Sequence, residues 1–366
     1  MRVPVLSQEG LPLMPTKPSR ARKWLKSGKA KVWHNDLKIF AVQLTVQSLG
    51  AKTQEISVGI DPGKLFSGVG VQSKNFTLWM AHLHLPFELV KKRMEQRSTM
   101  RRGRRGRRIN RKQPFPNRCH RQTRFSNRKK KKIPPSIRAN RQLELRVVKE
   151  LVQVFPIKYA VYEVIKAAGS KGFSPVMVGQ NWAIWQLEQL LPVSKREGWE
   201  TSNIRQYLHL RKHKDDKSAQ IPATHAVDGV SLASTLFLQY KELKGKRGWW
   251  EGSVTITPAP FSVIRRAPTS RRQLHLMQPA KGGTRRKYGG TVTRHELRKG
   301  DFVQAEKAGK IYRGWVSGDT DRQISISGAN WKRIGQFTAS KVQLLQRNTG
   351  LIVVPSIGLS DLVQRC

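Results

Sequence analysis

Two cysteines, Cys119 and Cys366, are all that the 366 residues contain, too few for a disulfide framework or a cysteine-rich zinc site. Such usage fits a reducing cytoplasm, and a cytoplasmic protein is expected. Long apolar runs are also missing. No stretch approaches the roughly 20 apolar residues of a membrane span, so no membrane partner is expected. Where a signal peptide would be continuously apolar, the first fifteen residues carry Pro4, Pro12, Pro15 and Glu9, and no secretory leader is expected. Acidic residues are the third shortage. Only 23 Asp and Glu face 70 Lys and Arg, for a formal net charge of +47. Polyanions are the natural partner of such a chain. A sequence-specific DNA-binding module engages roughly 6 to 10 phosphates, so a surplus several times larger implies an extended nucleic acid, a structured RNA or RNA and DNA together. A ribosomal-type protein would also carry such charge.

The length implies two to four compact units. Residues 1–52 read as a small α/β unit, with a short strand over Val3–Leu6, a helix over Arg20–Lys26 capped by Ser19 and ended by Gly28, and strands within Lys31–Val46. Over 53–90, Ile56, Val58 and Ile60 alternate into Asp61-Pro62-Gly63, and Gly68–Val71 form a return strand, which makes a hairpin with an acid at its tip. Residues 91–135 differ, because no carboxylate occurs between Glu95 and Glu144 while arginines and lysines arrive in clusters. Repulsion at that density predicts a helix that orders against nucleic acid, stopped by Pro114 and Pro116.

Residues 136–245 hold an amphipathic helix over Asn140–Val154, an almost continuous apolar strand over Tyr159–Ile165 interrupted by Glu163, a helix over Gln180–Leu191 and another over Thr224–Tyr240. Residues 246–366 turn to short strands with Gly-rich turns, among them Ser253–Ile256, Phe302–Ala305, Ile311–Val316, Gln323–Ser327 and Leu351–Val354. A small SH3-like or OB-like β-barrel is expected there.

Asp61 closes one apolar strand, Glu163 sits within another, and Asp228 follows His225 by three residues on a helix. Burying ionised carboxylates among apolar residues costs several kcal/mol each unless a cation compensates. Mg²⁺ suits such hard oxygen ligands, and a pair of ions about 4 Å apart stabilises both the attacking and the leaving oxygen of a phosphodiester displacement. Lysine or arginine could instead pair the acids and make the group structural. Because the unperturbed imidazole titrates near neutrality, a histidine suits a general base, and His225 is the candidate. For His225 and Asp228 alone, stabilisation of a helix N-terminus explains the pair equally well.

Val58-Gly59-Ile60-Asp61-Pro62-Gly63 with Gly68-Val69-Gly70-Val71, then Tyr162-Glu163, then Thr224-His225-Ala226-Val227-Asp228 resemble the three split segments of a RuvC-type nuclease. The arginine-rich stretch resembles the bridge helix of RNA-guided nucleases, and Pro12-Leu13-Met14-Pro15 resembles the PLMP motif of IscB-type proteins. The resemblance implies an α/β fold with an RNase H-like (RuvC) core, an Arg-rich bridge helix, a small N-terminal α/β domain and a C-terminal β-barrel-like domain that reads a motif beside the target. It further implies Asp61, Glu163 and Asp228 as ligands of two Mg²⁺ ions, for which Mn²⁺ substitutes, with His225 assisting catalysis. The partners implied are a large noncoding guide RNA and target double-stranded DNA, with a protein monomer in the ribonucleoprotein. IscB proteins carry an HNH nuclease between the second and third segments, whereas only Lys166–Ala223 stand there in this chain, and His209 and His213 lack the HNH arrangement. That departure resembles IsrB, the form without HNH, and implies nicking of the non-target strand alone. TnpB-like proteins are a poorer likeness, since two cysteines cannot make their zinc site.

Candidate nucleic-acid contacts are Arg101, Arg102, Arg104, Arg105, Arg107, Arg108 and Arg111 in the bridge, and Arg265, Arg266, Arg271, Arg272, Arg285 and Arg286 beyond it. Arginine pairs bidentately with guanine, though phosphate contact is the commoner role. Trp249, Trp250 and Trp331 are read as core residues of the barrel, with base stacking as the other reading. Two further functions stay open: a catalytically inactive RNA-binding scaffold with an RNase H-like fold, and a junction resolvase that needs no RNA.

Overall fold

The computed structural model describes residues 1–48, 50, 53–106, 112–117, 132–166, 174–243, 248–269, 274–278, 284–288, 291–360 and 362. Two compact units emerge, one of Met1–Phe87, Asn127–Arg265 and Val353–Cys366, the other of Glu88–Ser126 and Arg266–Ile352. The first unit opens with β1 (Val3–Leu6), β2 (Pro12–Thr16), α1 (Pro18–Lys26), β3 (Ala30–Trp33) and β4 (Ala41–Leu44), the strands ordered β2-β1-β4-β3. Val3, Val5, Ala21, Val42 and Leu44 meet in their core. Helix α1 does not start behind a Ser19 cap. It starts at Pro18, whose fixed φ is already helical and which has no N–H to leave unpaired. Its end follows the sequence, since Gly28 takes φ +69° and donates its N–H to the Leu25 carbonyl.

Strands β5 (Ile56–Asp61), β6 (Phe66–Ser73) and β7 (Thr77–His84) form an antiparallel meander. Next come α2 (Phe87–Gly106), α3 (Pro135–Val154), β8 (Tyr159–Val164), α4 (Pro175–Glu188), β9 (Val193–Glu197), α5 (Gly198–Tyr207) and α6 (Ala226–Ser234). Helix α3 begins five residues before the expected start, and α4 starts early behind Ser174, whose hydroxyl accepts from the Met177 N–H. The helix expected over 224–240 is shorter at both ends. A single 3₁₀ turn follows Ser234, and the chain becomes β10 (Leu238–Glu242), paired antiparallel with β11 (Gly248–Gly252). Packing overrides helical periodicity here, because Leu238 and Trp250 bury themselves against Ile204 of α5. Strand β12 (Ala259–Arg266) then runs parallel to β7, while Ser253–Ile256, expected as a strand, is not one.

In the second unit Arg93 of α2 donates to the carbonyls of Pro268 and Thr269, at 2.7 and 3.3 Å. Strands β13 (Leu274–Gln278) and β14 (Thr284–Tyr288) make a two-stranded ribbon. Strands β15 (Phe302–Lys307), β16 (Lys310–Asp319), β17 (Gln323–Ser327), β18 (Arg333–Thr338) and β19 (Val342–Gln346) make an antiparallel sheet ordered β18-β17-β16-β15-β19 over a core of Val303, Val316, Ile324, Ile326 and Phe337. Among the described residues no ladder joins β18 to β19. The last strand, β20 (Leu351–Ser360), returns to the large sheet, whose order is β20-β12-β7-β6-β5-β8-β9.

Helix α6 lies directly on this sheet. Its residues Ala226–Ser234 are all buried, and the close approach depends on missing side chains. A Cβ on Gly59 would sit 2.0 Å from the Gly229 carbonyl oxygen, and one on Gly68 would sit 1.8 Å from that of His225. Backbone cannot give way as a flexible side chain can, so both positions require glycine.

Candidate active site

Strand register makes the first half of the site. Strand β8 runs parallel to β5 with Ile60 opposite Tyr162, so the next residue of each strand, Asp61 and Glu163, stand side by side at the same end of the sheet. Adjacent strands lie about 4.8 Å apart, and two carboxyl groups so placed repel. Asp228 comes from the first turn of α6, which the two glycine contacts press onto β5 and β6. All three acids line one cavity of about 380 Å³ together with His225 and Thr201, and with Arg205, Lys212, Lys214 and Lys217. The lining mixes acidic and basic groups.

Burial, and then the charge of Asp61, push the Glu163 carboxyl up to about 7. Its Oε2 accepts a 2.6 Å hydrogen bond from the Thr201 hydroxyl, which offsets part of that rise. Asp228 is also raised by burial and by Asp61, against the pull of two cations. Arg205 Nη1 donates to Oδ1 at 2.6 Å, and the Lys212 ammonium is paired with Oδ2. His225 stands just ahead of α6, its Nδ1 3.5 Å from Asp61 Oδ2 and its Nε2 3.1 Å from the Lys217 carbonyl oxygen. Its ring rests against Phe66 and His82, with centroids 5.6 and 5.3 Å away. Burial, assisted by the neighbouring His225, His84 and Arg265, depresses His82 to about 3, which keeps that ring neutral and adds no positive charge behind the acids.

The turn after Asp61 is clamped from behind by α3. Gly63 N–H donates to Ser67 Oγ at 3.0 Å, and Ser67 Oγ donates to Glu144 Oε1 at 2.6 Å. Arg141 Nη1 reaches both oxygens of Glu144 at 2.7 and 2.8 Å, its Nη2 donates to the Gly63 carbonyl at 3.3 Å, and Asn140 Nδ2 donates to the Lys64 carbonyl at 2.8 Å. Arg141 Nε is left without a hydrogen-bond partner, but the pair still holds Gly63 at its carbonyl directly and at its N–H through Ser67.

Hard-oxygen donors raised by burial and by the charge of Asp61 fit a divalent ion of the Mg²⁺ class in charge and in chemistry. Among the described residues no three His, Cys, Asp or Glu side chains are already drawn together as tightly as a bound ion would hold them. Asp228 is engaged by Arg205 and Lys212 instead. Sequence reasoning missed these two cations, which carry no mark that separates them from the other basic residues. It missed the clamp as well, although Glu144 has Arg141 one turn before it on the same helix.

The other candidates are placed less uniformly. Arg101 and Arg102 are exposed on α2, which also carries Arg104 and Arg105, whose side chains lie outside the described residues. Arg107, Arg108, Arg111, Arg271 and Arg272 lie outside the described residues, and Arg285 and Arg286 are on β14 with side chains outside them. Arg266 is exposed, but Arg265 is half-buried on β12 opposite His84, and burial lowers its pKa. Trp249 and Trp250 are not barrel residues. Both lie on β11 in the first unit, Trp250 buried and Trp249 exposed, while Trp331 is half-buried with φ +62°.

Residues 3–172 match the family model described as RRXRR protein. The matched stretch contains Arg101-Arg102-Gly103-Arg104-Arg105, which spells that pattern, and it includes Asp61 and Glu163 but not His225 or Asp228. Among solved structures, T. thermophilus RuvC in complex with a Holliday junction substrate aligns at 12% identity over 50% of this chain and 92% of that chain, with a TM-score of 0.27. A second Thermus thermophilus RuvC structure aligns at 13% identity over 49% of this chain and 92% of that one, with a TM-score of 0.25. Scores of this size transfer neither fold nor activity. No curated protein matches the chain.

Proposed function

We propose that the protein is an RNA-guided DNA endonuclease that nicks the non-target strand of double-stranded DNA, directed by a large noncoding RNA. The observation that carries this reading is the cavity that Asp61, Glu163 and Asp228, separated by 102 and 65 residues of sequence, line together with lysine and arginine. Strands β7-β6-β5-β8-β9, with β6 alone reversed against β5, β7, β8 and β9, support an RNase H-like core. The RRXRR match supports the guide-RNA half of the proposal, since its arginines lie on α2. A net charge of +47 supports the large RNA.

Asp61, Glu163 and Asp228 are the residues that would hold Mg²⁺, with Mn²⁺ as its substitute. When bound, the metal supplies charge stabilisation at the attacking and leaving oxygens of the phosphodiester. The chain itself does the rest. Lys214 and Lys217 orient a phosphate over the acids, the α3 clamp holds the Asp61 turn in place, and His225, whose Nε2–H donates to the Lys217 carbonyl, takes a proton from water through Nδ1, the ring nitrogen beside Asp61. Thr201 keeps the Glu163 carboxyl facing the cavity.

The test is to sequence the RNA that copurifies with the protein and then to challenge the complex with supercoiled plasmid carrying the matching target beside randomised flanks. Nicks confined to the matched plasmid support the proposal, and plasmid that stays supercoiled at every Mg²⁺ and Mn²⁺ concentration refutes it. One observation favours a second reading, a catalytically silent RNA-binding scaffold. Arg205 and Lys212 already neutralise Asp228 without any metal. Tight, guide-dependent DNA binding without nicks would select that reading.

A further inference from the structure

Beside the acidic cavity lies an aromatic surface that the cleavage chemistry does not use. Helix α5 carries both. Its Gly198, Thr201 and Arg205 line the cavity, and a Cβ on Gly198 would lie only 3.4 Å from Glu163 Oε1. The next residue, Trp199, is 51% exposed. An exposed tryptophan is ordinarily free to rotate, but this one is braced. Its Nε1 donates to Glu197 Oε2 at 3.2 Å, and its ring meets Tyr240 edge-on at 5.8 Å. Tyr240 rests in turn on buried Trp250, with ring centroids 5.0 Å apart, and Trp250 is packed against Ile204 of α5 itself. The indole is held rigidly by a structure that leaves half of it in water. Edge-to-face packing of this kind contributes modestly to folding, and a braced aromatic face also lowers the ordering cost of binding a flat partner.

We propose that Trp199, with Tyr240 beside it, is a stacking platform for unpaired bases of a single DNA strand whose backbone enters the acidic cavity. This rests on the nuclease reading above and adds the form of substrate that the site takes. Stacking demands an exposed base face, which a duplex does not offer, and aromatic platforms beside a cationic track are how single strands are gripped without regard to sequence. The cationic track is present. Lys214 and Lys217 line the same cavity without a carboxylate partner among the described residues, so phosphates find charge there while bases find the indole. Neighbouring Cα atoms are about 3.8 Å apart. Trp199 does not itself line the cavity, but through Gly198 the platform adjoins it on the Glu163 side.

Adduct mapping tests this without requiring cleavage. Full-length protein, purified with its own RNA and kept in EDTA, is irradiated with a mixed-sequence single-stranded DNA oligonucleotide carrying iodouracil, and the adducts are located by peptide mass spectrometry. Adducts on Trp199 or Tyr240 are expected. Trp199→Ala should abolish the Trp199 adduct and weaken binding of that oligonucleotide by about fivefold or more, while Trp199→Phe restores most of the affinity. Adducts confined to other peptides of the wild-type chain would overturn the proposal, whether or not the variants fold. Equal affinity of wild type and a folded Trp199→Ala would overturn it too. A protein that nicks matched plasmid but forms no Trp199 or Tyr240 adduct loses the platform and keeps its nuclease reading. One that forms the adduct but never nicks loses the nuclease reading and keeps the platform.

Discussion

Replacing Glu163 by Gln should make the metal-free protein more stable, and only at neutral to alkaline pH. Burial and the charge of Asp61 raise this carboxyl from its ordinary 4.5 to about 7. An acid whose folded value lies above its unfolded one loses stability as pH climbs from about 4.5 through about 7, because the unfolded chain ionises first. At about 1.4 kcal/mol per pH unit, the gap corresponds to about 3 kcal/mol once ionisation is complete. The glutamine amide carries a desolvation cost of its own in this buried place, so about 1–3 kcal/mol is expected back. Glutamine keeps an oxygen to accept from the Thr201 hydroxyl, which leaves local packing intact. The assay is urea unfolding of both proteins in EDTA at about pH 8 and about pH 4. Glu163→Gln should gain about 1–3 kcal/mol at the higher pH and nothing at the lower, where wild-type Glu163 is already protonated. With saturating Mg²⁺ the difference should shrink or invert, since only the wild type recovers stability from the ion. A variant less stable than wild type at about pH 8, or equally stabilised at both pH values, would refute the reasoning.

Three further variants probe the frame of the acids and, separately, the arginines of α2. Arg205→Met removes one of two cations from a nearly fully buried carboxylate and should cost about 1–4 kcal/mol in equilibrium unfolding, less if Lys212 takes over the vacated oxygen; an unchanged midpoint would show that Lys212 alone suffices. Gly68→Ala should push the His225 carbonyl away and cost about 1–3 kcal/mol by overpacking, together with most of the nicking activity; activity within twofold of wild type would contradict the close approach of α6 to β6. Arg101→Ala with Arg102→Ala should reduce the salt dependence of RNA binding by about two in log–log slope, with folding unaffected since both side chains are exposed; an unaltered slope would remove them from the RNA surface.

Much of the site was readable because its parts obey local rules. Asp61 ends an alternating strand before Pro-Gly, Glu163 breaks an apolar one, and Asp228 lies in a first turn, so each acid is conspicuous where it stands. The register that sets Asp61 beside Glu163 is a long-range fact, yet parallel pairing of two apolar strands makes it a short step. Arg205 and Lys212 were beyond reach, because among 70 basic residues only three-dimensional packing singles out the two that face Asp228. The same holds for β12 and β20. Leu351–Val354 announces β20, while β12 goes unnamed among the expected strands, and nothing local shows that either extends the sheet of β5–β9 rather than the later antiparallel one. The exposed Trp199 went unremarked for a related reason, since its brace is assembled from a hairpin some forty residues further along the chain.

The most direct test of the central claim is strand-resolved nicking of matched supercoiled plasmid by the ribonucleoprotein, with wild type and Asp61→Ala compared across a Mg²⁺ titration while RNA binding is followed in parallel. The account predicts that the wild type nicks one strand in proportion to bound Mg²⁺, and that Asp61→Ala binds the RNA equally well and leaves the plasmid intact. Undiminished nicking by Asp61→Ala, or wild-type cutting that persists in EDTA, would contradict it.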